Sequence, residues 1–155
     1  MIRALIVEDE TTIRSGLVRH LKWAELGVDE VRAAESAEEA FSILENYRPD
    51  LVLTDIRMPG MDGIQMATAI RERFPDTQIA FITGYTDKEY LQAAISIGVV
   101  GYVEKPVSLE ELTEIVRKAV HYIQKIRHIQ MATLHSLINY SQALGEREEK
   151  DGWNH

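Results

Sequence analysis

Hydrophobic positions along the chain fall into short aliphatic runs that alternate with stretches of helical spacing. The run Arg3-Ala4-Leu5-Ile6-Val7 is too short for a helix and stops at the acidic pair Glu8-Asp9, which predicts a first strand. Ile13, Leu17 and Leu21, with Val18 beside them, share one face of a helix that ends near Trp23 and Gly27. Glu30 to Ala34 predicts a weaker second strand. Ser36-Ala37-Glu38-Glu39 then has the capping-box pattern, ahead of an amphipathic helix carrying Ala40, Phe41, Ile43, Leu44 and Tyr47. Leu51 to Thr54 predicts a buried third strand that delivers Asp55 to its C-terminal end, just before a loop containing Pro59 and Gly60.

Beyond the turns at Pro59-Gly60 and Asp62-Gly63, Ile64 to Phe74 predicts a helix closed by Pro75. Gln78 to Thr83 is a fourth strand with an apolar centre and a terminal hydroxyl. Thr86-Asp87-Lys88-Glu89 offers a second capping box, before a helix with Leu91, Ala94 and Ile95 that ends at Gly98. Gly101-Tyr102-Val103 is a brief fifth strand running into Glu104-Lys105-Pro106, and a third capping box, Ser108-Leu109-Glu110-Glu111, opens the last helix. Five aliphatic strands alternating with five helices suit a parallel sheet covered on both faces. Right-handed crossovers make that a doubly wound α/β sandwich.

The last helix differs from the others. Neither Pro nor Gly occurs from Ser108 to Leu144, so one helix of roughly 55 Å is allowed at 1.5 Å per residue. Leu109, Leu112, Val116, Ala119, Ile123, Ile126, Gln130, Thr133, Leu137, Tyr140 and Leu144 follow at alternating spacings of three and four, a heptad stripe. The first turns can pack on the sheet, while the later apolar residues need another partner, and a second copy of the chain is the natural one. Ile123, Ile126, Leu137 and Leu144 are the expected dimerisation residues. Gln130 and Thr133 soften the middle of the stripe, and a broken or folded-back helix is the alternative. The expected organisation is a globular domain over 1–121, a helical extension over 122–145, and a disordered charged tail over 146–155 that begins where Gly145 ends the helix.

Composition narrows the function. The net charge of −8 argues against a generic nucleic-acid-binding surface. The absence of cysteine excludes thiolate catalysis, disulfides and Cys-ligated zinc. No run resembles a signal peptide or approaches the ~20 apolar residues of a membrane span, so a cytoplasmic location is expected.

The candidate chemistry lies where strands end: Glu8 and Asp9 after the first, Asp55 after the third, Thr83 at the end of the fourth, Lys105 after the fifth. In a doubly wound sheet these ends converge on one rim. Each residue alone has a bland reading as a turn, a surface lysine or a strand threonine; five on four strand ends in order are a stronger signal. Crowded carboxylates repel unless a cation joins them, and Mg²⁺ suits a few carboxylates completed by water. A carboxylate held beside such an ion can act as nucleophile toward a phosphoryl group, whose charge would need donors such as Thr83 and Lys105.

With these residues in place, the chain resembles the receiver domain of bacterial two-component response regulators. The resemblance covers Met1 to about His121 and is carried by Val7-Glu8-Asp9-Glu10, Thr54-Asp55-Ile56-Arg57-Met58-Pro59-Gly60-Met61-Asp62-Gly63, Thr83-Gly84 and Lys105-Pro106. It implies a flavodoxin-like sheet of order 2-1-3-4-5, with Asp55 accepting a phosphoryl group from the phosphohistidine of a sensor histidine kinase. It further implies that Asp9, Asp55 and the backbone carbonyl of Arg57 ligate Mg²⁺, or Mn²⁺ in its place, with Glu8 acting through water. Thr83 and Lys105 would contact the phosphoryl oxygens, Tyr102 would be the switch aromatic, and Lys105-Pro106 would be a cis peptide.

Tyr85 falls where the family tunes loss of the phosphoryl group, and its ring is expected to shield Asp55 and slow self-dephosphorylation. Trp23 and the segment Gly84 to Tyr90 are similar to receivers that precede an AraC-type DNA-binding domain, although Trp23 also reads as a core aromatic. Such an output domain needs roughly 100 further residues, for which this chain has no room. No direct nucleic-acid binding is therefore expected of it. Its output would be a switch in protein–protein interaction or dimerisation. Two enzyme classes are disfavoured: a haloacid-dehalogenase-like phosphatase wants a second Asp where Arg57 stands, and no P-loop pattern occurs. The remaining alternative is a receiver fold used for dimerisation without phosphorylation.

Overall fold

The computed structural model describes residues 1–84 and 88–153, without the side chains of Lys88 and residues 149–153. Its strands are β1 (Arg3–Val7), β2 (Glu30–Ala34), β3 (Leu51–Asp55), β4 (Gln78–Thr83) and β5 (Gly101–Glu104). The helices are α1 (Thr11–His20), α2 (Ala37–Leu44), α3 (Gly63–Arg73), α4 (Leu91–Ile97) and α5 (Leu109–Trp153). All neighbouring strands pair in parallel, in the order β2-β1-β3-β4-β5. This is the doubly wound, flavodoxin-like order expected from the sequence.

Burial explains why three strands are nearly all apolar. Every residue of β3 is buried, and β1 and β4 are buried from their second residue on, because helices cover both faces of the sheet centre. The edge strands β2 and β5 are partly exposed and accordingly carry Glu30, Arg32 and Glu104. Leu5, Val7, Val52, Ile79 and Phe81 form one core cluster with Leu44 and Tyr47 at α2, and with Met66 and Ile70 of α3.

Local chemistry sets the helix starts. Ser36 accepts the Glu39 amide at 3.1 Å, but the Glu39 carboxylate accepts from Glu35 rather than from Ser36, so only half of that box closes. Ser108 likewise accepts from the Glu111 amide, at 3.3 Å. A complete box forms where the sequence reading saw only a turn: Asp62 accepts the Gln65 amide at 2.8 Å and Gln65 accepts the Asp62 amide at 3.1 Å. Tyr85 and Thr86-Asp87 lie outside the described residues. Lys88–Tyr90 form a 3₁₀ turn leading into α4.

Two boundaries differ from expectation. Helix α1 stops at His20, because Leu21 is extended and the buried Trp23 indole donates to the Leu17 carbonyl at 3.1 Å. Trp23 is thus a core aromatic that folds the chain back under the helix. At the other end, Gly145 does not end α5, which runs on to Trp153. One exposed glycine costs a helix only about 1 kcal/mol, and the Glu, Arg and Lys residues that follow favour the helix.

The chain divides into two compact units, Met1–His121 and Tyr122–His155. In the first, α5 buries Leu112, Val116, Ala119 and Val120. In the second, α5 continues as one unbroken helix, neither broken nor folded back. Of the four residues expected to dimerise, Ile123 is buried. Ile126 is half-buried, and Leu137 and Leu144 are exposed. No helix among the described residues is long and apolar enough to cross a membrane.

Candidate functional site

The sheet ladder itself aims the site residues. Asp55 is the last residue of β3 and pairs with Ile82, while the Ile56 amide still donates to the Ile82 carbonyl at 3.2 Å. On one side the Glu8 amide donates to the Ala34 carbonyl at 3.0 Å, and on the other the Lys105 amide donates to the Thr83 carbonyl at 2.8 Å. Each bond carries parallel pairing one residue past a strand end. Glu8 and Lys105 are therefore fixed by backbone on either side of Asp55.

Their side chains meet. Lys105 Nζ stands 3.0 Å from Asp55 Oδ2, 3.4 Å from Glu8 Oε1 and 3.5 Å from Glu10 Oε1. Glu8, Asp9 and Asp55 each present a carboxylate oxygen within 4.8 Å of the others. Glu8 and Asp55 are buried and Asp9 is half-buried. Lys105 is then the local counter-charge for a carboxylate group that outnumbers it.

Protonation follows from that imbalance. Burial, then the charge of Asp55, pushes the Glu8 carboxyl up to about 7 against the opposing pull of Lys105. Burial also raises Asp55, while the hydrogen bond and charge of Lys105 oppose it. Burial tends to lower Lys105, but the hydrogen bond and charge of Asp55, with Glu8 and Glu10, prevail and raise it. Lys105 is held as an ammonium.

The donor set fits a hard divalent cation. All three ligating candidates offer oxygen, and Glu8 Oε2 is buried with no hydrogen-bond partner among the described residues. An orphaned buried carboxylate oxygen is costly, and a cation or its water would satisfy it.

Thr83 is buried at the end of β4, and Lys105-Pro106 is a cis peptide. Tyr102 pairs in register with Phe81 and is 49 % exposed, on the outer side of β5. The Arg57 side chain leaves the carboxylates and reaches Glu89 at 3.4 Å, with its guanidinium 5.9 Å from the Tyr90 ring centroid.

Three contributors escaped the sequence reading as individual residues. Arg14 donates to the Glu8 carbonyl at 2.7 Å and the Asp9 carbonyl at 3.4 Å, clamping the acidic turn. Its signal was a cation one helical turn beyond Glu10. Glu10 was quoted in the acidic motif without a role, and it is the third carboxylate around Lys105. Gly63 donates its amide to the Ile56 carbonyl at 2.7 Å, and a Cβ there would stand 2.0 Å from the Asp55 carbonyl oxygen. The Asp62-Gly63 turn marked the position but not the close approach behind it.

Residues 4–117 match the response regulator receiver domain family. The transcriptional regulatory protein YesN of Bacillus subtilis is 32 % identical over 129 residues, covering 78 % of this chain and 35 % of that protein. The positive alginate biosynthesis regulatory protein of Pseudomonas aeruginosa is 35 % identical over 133 residues, covering 86 % of this chain and 51 % of its own length. The chain thus spans about a third to a half of these curated relatives. Among solved structures, a two component transcriptional regulator AraC from Clostridium phytofermentans superposes with a TM-score of 0.76 at 36 % identity. That match covers 81 % of this chain and 97 % of that one. The REC domain of AraT from Geobacillus stearothermophilus gives 0.73 at 33 % identity, covering 83 % and 98 %. By sequence, fold and the acidic rim around Asp55, the chain belongs to the response regulator receiver domain family of two-component signalling.

Proposed function

We propose that Asp55 accepts a phosphoryl group from the phosphohistidine of a sensor histidine kinase, and that this switches the protein's interactions. The observation that carries the reading is the buried Asp55 carboxylate held 3.0 Å from Lys105 beside Glu8 and Asp9. An Asp55 oxygen attacks phosphorus, the P–N bond to the kinase imidazole breaks, and the imidazole leaves with the electron pair and takes up a proton. Lys105 and Thr83 then hydrogen-bond the phosphoryl oxygens, and charge that was on Asp55 is spread over the new group. Asp9, Asp55 and the Arg57 carbonyl would hold Mg²⁺, with Glu8 acting through water. When bound, such an ion would supply charge neutralisation for the transferring group and for the carboxylates that hold it. Arg14 keeps the Glu8-Asp9 turn in place.

Occupation of Thr83 by the phosphoryl group leaves room for Tyr102 to turn inward from its exposed position, which changes the β5 surface. Self-association through α5 is the output that fits the exposed heptad stripe. Intact mass after incubation with acetyl phosphate and Mg²⁺ tests the site: one phosphoryl group on the wild type and none on Asp55→Ala is expected, and an equal gain on both would overturn it. Sedimentation with and without beryllofluoride and Mg²⁺ tests the coupling, and an unchanged mass would refute phosphorylation-controlled assembly.

A further inference from the structure

The segment of α5 from His128 to Gly145 contains no Asp, Glu, Lys or Arg. Solvent-facing helices are ordinarily charged on their outer side. Here Ile129, Leu134, Leu137, Ile138, Tyr140 and Leu144 are all exposed, Leu137 and Tyr140 to 60 % and 65 %. These side chains cover a broad face, and the opposite side is uncharged Asn, Gln, Ser and His. A helix so constituted has neither the charges that keep a lone surface helix in water nor, among the described residues, a covering element of its own.

Its ends are charged with opposite signs. Lys125 and Arg127 stand immediately before the uncharged segment, with no acid between Arg117 and Gly145. Residues 146–151 follow it with four acids and two bases. Two copies lying parallel would set like charge beside like charge at both ends. Two copies lying antiparallel set Lys125 and Arg127 of one against the acidic end of the other.

Resting on the reading of α5 as a self-association element, we infer that the occupant of this face is a second copy of the chain, docked antiparallel along residues 126–144. The heptad positions then interdigitate about a centre near residue 135, with the polar Gln130 of one copy opposite Tyr140 of the other and Thr133 opposite Leu137. The uncharged flanks carry no charge pattern to select the parallel alternative. Orientation is set by the charged ends alone.

The absence of native cysteine makes the test direct. Gln130→Cys and Tyr140→Cys are made singly in the full chain and oxidised alone and as an equal mixture, with sedimentation giving the mass beforehand. These positions are ten residues apart on the helix, about 15 Å, so geometry separates the outcomes. A dimer mass with disulfides only in the mixture is expected, together with loss of the dimer in Leu137→Glu. Disulfides in each variant alone would mean parallel pairing and overturn the orientation while leaving self-association standing. A dimer that forms no disulfide in any sample would overturn the seam. A monomer mass for the wild-type chain throughout would overturn the self-association reading itself.

Discussion

Lys105 Nζ lies 3.0 Å from Asp55 Oδ2, on a lysine that the β4–β5 ladder fixes through its own backbone amide. The ammonium does two jobs in one position. It offsets a crowd of carboxylates, and on the proposed reading it would stand ready to donate to a phosphoryl group on Asp55.

Removal of this charge by Lys105→Met therefore leaves Glu8, Asp9 and Asp55 without their organic cation. We expect the metal-free protein to lose about 1.5–3 kcal/mol, the range for a charged hydrogen bond. Millimolar Mg²⁺ should restore much of that loss while phosphorylation stays impaired. Urea unfolding with and without Mg²⁺ reads the first effect, and equal loss in both conditions would show that the lysine is not acting as a counter-charge.

Glu8 sets the pH dependence. Its folded pKa, about 7, lies above the ordinary 4.5, so the folded state holds the proton more tightly than the unfolded chain does. The corresponding stabilisation is fully present below about pH 4.5 and is lost as pH rises through about 7. A Mg²⁺ ion held at this cluster, as proposed, would compete with that proton, so its affinity should weaken as pH falls below 7. Calorimetric titration with Mg²⁺ at pH 6 and pH 8 checks this, and Glu8→Gln should flatten the difference. Equal affinity at both pH values in the wild type would contradict the assignment.

Gly63 admits no side chain. A Cβ would sit 2.0 Å from the Asp55 carbonyl oxygen, so Gly63→Ala must push back either α3 or the end of β3. A cost of about 1–3 kcal/mol or more is expected, along with slower phosphoryl uptake as Asp55 shifts. Gly98→Ala is the control: its φ of +78° is strained for alanine, but nothing among the described residues lies within 4 Å of a Cβ there. That variant should lose about 1 kcal/mol and keep normal uptake.

Tyr47 ties α2 to the sheet by donating its hydroxyl to the Ala4 carbonyl at 2.8 Å, and Arg32 lies 4.6 Å over its ring. Tyr47→Phe should cost about 1 kcal/mol. Burial, and then the charge of Glu30, pushes the phenol up to about 12 from 10. Its stabilisation is present below pH 10 and lost as pH rises toward 12. Loss of this alkaline dependence in the Phe variant, followed by circular dichroism, is the expected result.

The sheet was legible because Leu5, Val52 and Ile79 are buried on both sides by helices, so each central strand reads as a continuous apolar run ending at a polar residue. The rim was legible for the same reason: parallel strands must end together, which brings Asp9, Asp55, Thr83 and Lys105 to one edge. What stayed hidden was contact made across distance. Gly63 packs on the Asp55 carbonyl through a turn whose closeness has no local signature. Arg14 reaches back to the Glu8 carbonyl from a helix where it looks like any surface cation. The end of α5 was misjudged because Gly145 is read as a stop, whereas its neighbours sustain the helix. Ile123 belongs to the heptad by spacing, and spacing alone does not say how far each member is buried.

The central claim is that the phosphoryl group is carried by one carboxylate, Asp55, and not by the acidic cluster at large. Borohydride reduces an acyl phosphate to an alcohol, which converts a phosphorylated aspartate to homoserine and marks the residue permanently. After phosphorylation with acetyl phosphate and Mg²⁺, reduction and proteolysis, peptide sequencing by mass spectrometry should find homoserine at position 55. Homoserine at Asp9 instead, or no conversion at Asp55 in protein that has gained a phosphoryl group, would contradict the account.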